Sequence, residues 1–354
     1  MFKSIIIFII AMTLINPITY SSQDPGEENL NLTTHVKYIS QEIGPRPAGS
    51  KNELKTANYV AEQFKKNGID TEIRNFKYYS LNSPEIKTSE NVVGTIPGVL
   101  DQEIIVCADL DTPLDKIKNN YTEGANDAST TLAVIIGLSK LYKDKKPLFT
   151  IKLIAFGAGE DAYTYPVPLS SKSNLKSSDY YKITYIPYLV GSRQYLLENQ
   201  NSINKIAAVI SLDAVGIGEP CVVSEDAFFK NNQFFLDYLV YNSNLNGYKL
   251  NQVDFASFKK IYGDEDSISH IYLPFAYAGI PSTFITSMTN PELSSQTHNN
   301  SEIPGYLTVK DNYTNLVKNV GNEDLLEKNL QNRVSLVKNN IDNFYIYYLI
   351  KSIT

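Results

Sequence analysis

Residues 103–111 read Glu103-Ile104-Ile105-Val106-Cys107-Ala108-Asp109-Leu110-Asp111, and residues 149–161 read Phe149-Thr150-Ile151-Lys152-Leu153-Ile154-Ala155-Phe156-Gly157-Ala158-Gly159-Glu160-Asp161. Each is a short apolar run that stops abruptly at carboxylates. Apolar side chains on successive positions describe strands covered on both faces, whereas alternation would mean one solvated face. The runs at 91–95, 206–212 and 282–286 have the same β-branched and aromatic character. Helical patterns lie between them. Ser50 reads as an N-cap, after which Leu54, Ala57, Val60, Ala61 and Phe64 recur at helical spacing until Gly68. Further helices are predicted at 131–142, 191–199, 228–242 and, as one long element, 323–349. This alternation predicts an α/β fold, a three-layer sandwich with a mostly parallel central sheet.

Composition narrows the function. The chain has 354 residues, 43% of them hydrophobic and 20% charged, a globular profile. Lys and Arg number 32 against 38 acidic residues, for a net charge of −6. That balance argues against nucleic acid as a partner, since phosphate neutralisation needs clustered positive charge. With 2 Cys and 3 His, the chain cannot build a zinc finger, a disulfide scaffold or a His-rich metal site. Any bound metal must take most of its ligands from carboxylates. At the N-terminus, Lys3 precedes an apolar run at 5–15 and then Asn16 and Pro17. Residues 1–21 are therefore expected to be a signal peptide or an N-terminal anchor, making the protein secreted or cell-surface, with the anchor as its membrane attachment. Residues 22–354 are expected to form a single domain carrying an insertion at 162–189, a stretch rich in Ser, Tyr, Lys and Pro.

In doubly wound sheets, ligands bind at the carboxyl ends of the strands. Here those ends collect acid: Asp109 and Asp111 after the first run, Glu160 and Asp161 after the second, and Asp213 after 206–212. Gly124-Ala125-Asn126-Asp127 opens a helix, and Thr297-His298-Asn299 follows the last strand. Converging carboxylates repel one another unless a cation neutralises them, so a di-metal site is the simplest resolution, with His298 its nitrogen ligand.

The order and wording of these segments resemble the secreted two-zinc aminopeptidases, leucyl-aminopeptidase-like exopeptidases related to glutaminyl cyclases. The likeness begins at Ile43-Gly44-Pro45-Arg46-Pro47-Ala48-Gly49-Ser50 and runs to about His298. It includes Val190-Gly191-Ser192-Arg193, Leu212-Asp213 and Ala278-Gly279-Ile280-Pro281. The resemblance implies a phosphorylase/hydrolase-like zinc exopeptidase architecture. It implies peptide substrates and two divalent metal ions, with zinc the expected identity. Asp127 would bridge the ions, and Asp109, Asp161, Asp213 and His298 would be terminal ligands. Glu160 would be the general base, and Asp111 would orient its neighbour from behind.

Three positions differ from the family pattern. Asp109 stands where a His is usual, and a carboxylate can take that ligand place. Ala128-Ser129-Thr130-Thr131 replaces a small, glycine-ending turn. The usual Glu-Glu pair has two possible registers here. Aligned with Glu160 and Asp161, it keeps both base and ligand, and this register is preferred because every chemical role is filled. Aligned with Gly159 and Glu160, it keeps the ligand and deletes the base, leaving a receptor-like or peptide-binding protein on the same fold. A glutaminyl-cyclase-like acyl transferase is disfavoured by the absence of Trp. Of the remaining histidines, His270 reads as a surface-loop residue and His35 as a solvated one.

Overall fold

The computed structural model describes residues 30–80, 85–115, 117–160, 163–164, 169–184, 186, 188–224, 232–254, 270–289 and 308–353. Residues 1–21, Asp161 and His298 therefore lie outside the described residues, as do parts of 162–189.

The strands are β1 Asp70–Tyr79, β2 Ile86–Ile96, β3 Leu100–Asp109, β4 Leu114–Asp115, β5 Asn120–Tyr121, β6 Phe149–Phe156, β7 Tyr163–Thr164, β8 Ile206–Leu212, β9 Glu219–Ser224, β10 Asn251–Asp254 and β11 Ser282–Met288. Nine of them form one sheet in the order β10-β9-β11-β8-β3-β6-β2-β1-β7, while β4 and β5 pair separately. The central run β11, β8, β3, β6 is parallel throughout. On one flank β2, β1 and β7 continue antiparallel, and on the other β9 runs antiparallel to β11. The α/β fold with a large parallel-centred sheet is thus as the sequence predicts.

The continuous apolar runs have a simple cause. Successive side chains on a strand point to opposite faces. Ile104, Val106 and Ala108 of β3 join one buried cluster, and Ile105 and Cys107 join another on the far side. Ile151, Leu153 and Ala155 against Ile154 and Phe156 repeat this split on β6. The first cluster is closed by the helices Leu32–Lys37, Lys51–Lys66, Thr131–Leu141, Gln233–Leu245 and Glu323–Asp342, the second by Ser177–Thr184, Val190–Glu198 and Leu273–Tyr277. Three layers result. Truncating a side chain such as Phe64, fully buried in the first cluster, should cost about 3–5 kcal/mol.

Ser50 caps its helix as predicted, its Oγ accepting from Glu53 N at 3.1 Å. The long C-terminal helix is corrected: it breaks at Asn343 into Glu323–Asp342 and Phe344–Ile353. The break follows Asn339-Asn340-Ile341-Asp342-Asn343, where short polar side chains compete for backbone groups and weaken the helix. Among the described residues, no helix is long and apolar enough to cross a membrane.

Candidate metal centre

Strands β8, β3 and β6 are neighbours and parallel, so their carboxyl ends lie side by side. Asp109 is the last residue of β3, Asp213 follows β8, and Glu160 lies four residues beyond β6. Asp127 arrives on the turn Ala125–Thr130, ahead of the helix Thr131–Leu141. The structure brings these groups together. Burial pushes the Asp109 carboxyl well above its ordinary range, and Asp111, Glu160, Asp127 and Asp213 each push it further. Asp109 Oδ1 is buried and accepts no hydrogen bond from the described residues. Asp127 is raised to about 6, mainly by burial; Arg46 opposes the shift, Asp111 adds to it, and a side-chain hydrogen bond joins Asp127 to Asp213.

Residues 158–160 are held by two carboxylates. Ala158 N donates to Glu53 Oε1 at 2.8 Å, Gly159 N to Asp111 Oδ1 at 2.7 Å, and Glu160 N to Asp111 Oδ2 at 3.0 Å. Both oxygens of Asp111 are therefore committed to the loop that carries Glu160. The loop needs glycine twice. A Cβ on Gly157 would strike Ser89 and the Glu90 carbonyl, and one on Gly159 would overlap Asp109 Oδ1 and lie 3.3 Å from Asp111 Oδ1. Position 159 thus faces the carboxylates.

The motif at 43–50 supplies the clamp. Arg46 is completely buried, donating from Nε to Leu110 O at 2.9 Å, from Nη1 to Glu123 O at 2.7 Å and from Nη2 to Gly124 O at 3.2 Å. One guanidinium thereby fixes the peptide between Asp109 and Asp111 and the approach to Asp127. Asp311 accepts from Asn126 N at 2.7 Å and from Asp127 N at 3.0 Å, and burial raises its carboxyl to about 7.

Two histidine expectations are corrected. His270 is buried, with Nδ1 3.4 Å from Asp213 Oδ2 and its ring stacked on Phe284 at 3.9 Å; burial lowers it to about 3, so it is neutral. His35 is half-buried, its Nδ1 2.6 Å from the Tyr59 hydroxyl. Sequence reading also missed Glu53 and Asp311. Glu53 carried a signal, the Ser50-X-X-Glu53 spacing of a capping box. Asp311 carried none.

Whether these residues suit a divalent cation is a matter of donor chemistry. An orphaned buried carboxylate oxygen, two carboxyls sharing a hydrogen bond and a net excess of anionic oxygens all fit one. Among the described residues, no three His, Cys, Asp or Glu side chains form a ready-made metal cluster. Asp161 and His298, the other two ligands the resemblance implies, lie outside those residues.

The sheet topology together with an acidic, strand-end site defines the zinc-exopeptidase class of α/β fold. This chain belongs to Peptidase family M28, whose model matches residues 91–323. It resembles the leucine aminopeptidase precursor of Bacteroides thetaiotaomicron at a TM-score of 0.61 and 18% identity, over 88% of this chain and 96% of that one. Against a zinc aminopeptidase of Bacillus subtilis the score is 0.61 at 14% identity, over 88% and 95%. Against a Zn-dependent exopeptidase of Parabacteroides distasonis it is 0.62 at 17%, over 88% and 97%. At these identities the likeness is one of fold. The alkaline phosphatase isozyme conversion protein of Escherichia coli (strain K12) is 26% identical over 167 residues, 43% of this chain and 48% of that protein. The match thus spans about half the length of that relative.

Proposed function

We propose that this chain is an exported, zinc-dependent aminopeptidase that removes N-terminal residues from peptides. The observation that carries the proposal is the gathering of Asp109, Asp111, Asp213 and Glu160 beyond neighbouring strand ends with Asp127 of the adjoining turn, Asp109 Oδ1 having no hydrogen-bond partner among the described residues. Asp109, Asp127, Asp161, Asp213 and His298 would hold two zinc ions. When bound, such ions polarise a scissile carbonyl and make a coordinated water acidic near neutral pH.

The chain's own residues do the rest. Glu160 takes the proton of the attacking water on its carboxylate and returns it to the departing amine. Asp111 holds the Gly159 and Glu160 amides and so sets where that carboxylate can reach. The excess of acid suits a substrate's free α-ammonium, which would restrict cleavage to chain ends. Export through residues 1–21 is part of the proposal. Full-length protein in the cytosol, with that segment intact and no membrane association, would refute it.

One observation favours a second reading, peptide capture without hydrolysis. Position 159 faces the carboxylates, as a base position should, yet it carries no side chain. The test for both is metal content after mild purification, paired with a panel of aminoacyl chromogenic substrates. Bound zinc with turnover supports the peptidase; bound zinc with no turnover on any substrate supports capture; no divalent metal rejects both.

A further inference from the structure

We propose that Asp311, opposed by Arg46, is the positioning residue that fixes Asp127 and, through Asn126, ties it to the loop carrying Asp213. This rests on the zinc-site reading above and adds to it a residue that no strand-end pattern marks.

The turn Ala125–Thr130 is where the backbone has an unmet need. Asp127 sits at φ −118° and ψ 102°, outside helical geometry, in a turn otherwise wound like a helix. Amides at such a point lack the carbonyl that a regular helix would offer. Both oxygens of Asp311 meet that need, one taking Asn126 N and the other Asp127 N. On the opposite side, Arg46 takes the carbonyls of Glu123 and Gly124. The segment entering Asp127 is therefore gripped at its carbonyls by a buried guanidinium and at its amides by a buried carboxyl group.

A grip at this place has consequences for the site. The Asn126 side chain accepts from Gly216 N at 2.9 Å, and Thr130 Oγ1 accepts from Val215 N at 3.3 Å. Those amides belong to the loop that leaves Asp213. The Asp127 carboxyl is in turn hydrogen-bonded to Asp213. Rotating the peptides at 126 and 127 would displace both carboxylates together, although Asp311 touches neither. Partners that orient metal ligands from behind typically contribute about 10–100-fold in metal affinity.

The test uses the full chain and two probes, Zn²⁺ by titration calorimetry and Co²⁺ by its visible absorption, which reports ligand geometry. Asp311→Asn should weaken Zn²⁺ binding about 10–100-fold and alter the Co²⁺ spectrum. A control, Asn322→Ala, removes the N-cap that accepts from Leu325 N at 2.8 Å in the helix Glu323–Asp342. It should lower the unfolding midpoint and leave both metal readouts unchanged. Wild-type affinity and spectrum in Asp311→Asn would overturn the proposal while leaving the zinc reading intact. Loss of folding in both Asp311→Asn and Asp311→Ser would assign the residue to the fold and overturn it as well. Wild type that takes up neither ion would remove the zinc reading and this inference with it.

Discussion

Gly159 and Asp109 compete for one place: a Cβ on Gly159 would overlap Asp109 Oδ1 and stand 3.1 Å from the Asp109 carboxyl carbon. Gly159→Ala must therefore move a half-buried carboxylate at the end of β3. Overpacking of this kind costs about 1–3 kcal/mol, and groups in contact give non-additive costs. Gly159→Ala should be destabilising in the native background and markedly less so beside Asp109→Ala. Urea unfolding of the four proteins of that cycle measures the coupling. Equal costs in both backgrounds would show that the two positions do not meet.

The role of each carboxylate after β6 separates the two registers. With Glu160 as base, Glu160→Gln should lower turnover about 10²–10⁴-fold and keep metal, because the base acts on water. Asp161→Asn should then lose metal. With Gly159 at the base position the pattern reverses: wild type shows no turnover, Glu160→Gln releases metal, and Asp161→Asn changes little. Metal stoichiometry and rate on the same preparations decide between them.

Zinc should stabilise the fold. Relief of the repulsion among Asp109, Asp111, Asp127 and Asp213 exists only in the folded chain, so binding adds to unfolding free energy by mass action. At free zinc one hundred times the dissociation constant, the gain is about 2.7 kcal/mol, removable by chelator. Differential scanning calorimetry with and without zinc checks this. An unshifted midpoint would mean that the acidic cluster does not bind the ion.

Acid sensitivity should be traceable to His35. Burial lowers this imidazole from its ordinary value of 6.5 to about 4, with Glu327 acting in the other direction. As pH falls below 6.5, the unfolded chain takes up this proton first, so the contribution is intact above 6.5 and is lost progressively toward 4. The buried carboxyls of Glu90 and Asp311, both raised to about 7, act with the opposite sign over that range. The difference between His35→Gln and wild type isolates the histidine. The variant should lose less stability than wild type between pH 7 and pH 5, measured by urea midpoints. Parallel pH profiles would refute this assignment.

What the sequence determined by itself was whatever depends on neighbours along the chain. The strands Phe149–Phe156 and Ile206–Leu212 were legible to the residue, because burial on both faces places apolar residues on successive positions, as in Leu153-Ile154-Ala155-Phe156 and Ala207-Ala208-Val209-Ile210. The cap at Ser50, Asp109 at the end of β3 and the acids that follow β6 and β8 were legible because they too depend on neighbours along the chain. Strand β1 was not, since its polar and exposed positions mimic loop, and neither was β9, whose buried apolar run Cys221-Val222-Val223 is too short to stand out. Only the tertiary structure decided that Arg46 grips the carbonyls of Leu110, Glu123 and Gly124, that Asp311 reaches back to Asn126 and Asp127, and that His270 is buried against Asp213. Each of these is a contact between segments far apart in the chain, and no local period encodes it. The direction of Gly159 belongs with them. A glycine leaves no side chain to signal which way it faces, and only the position of Asp109 across the strand ends reveals that it points into the site.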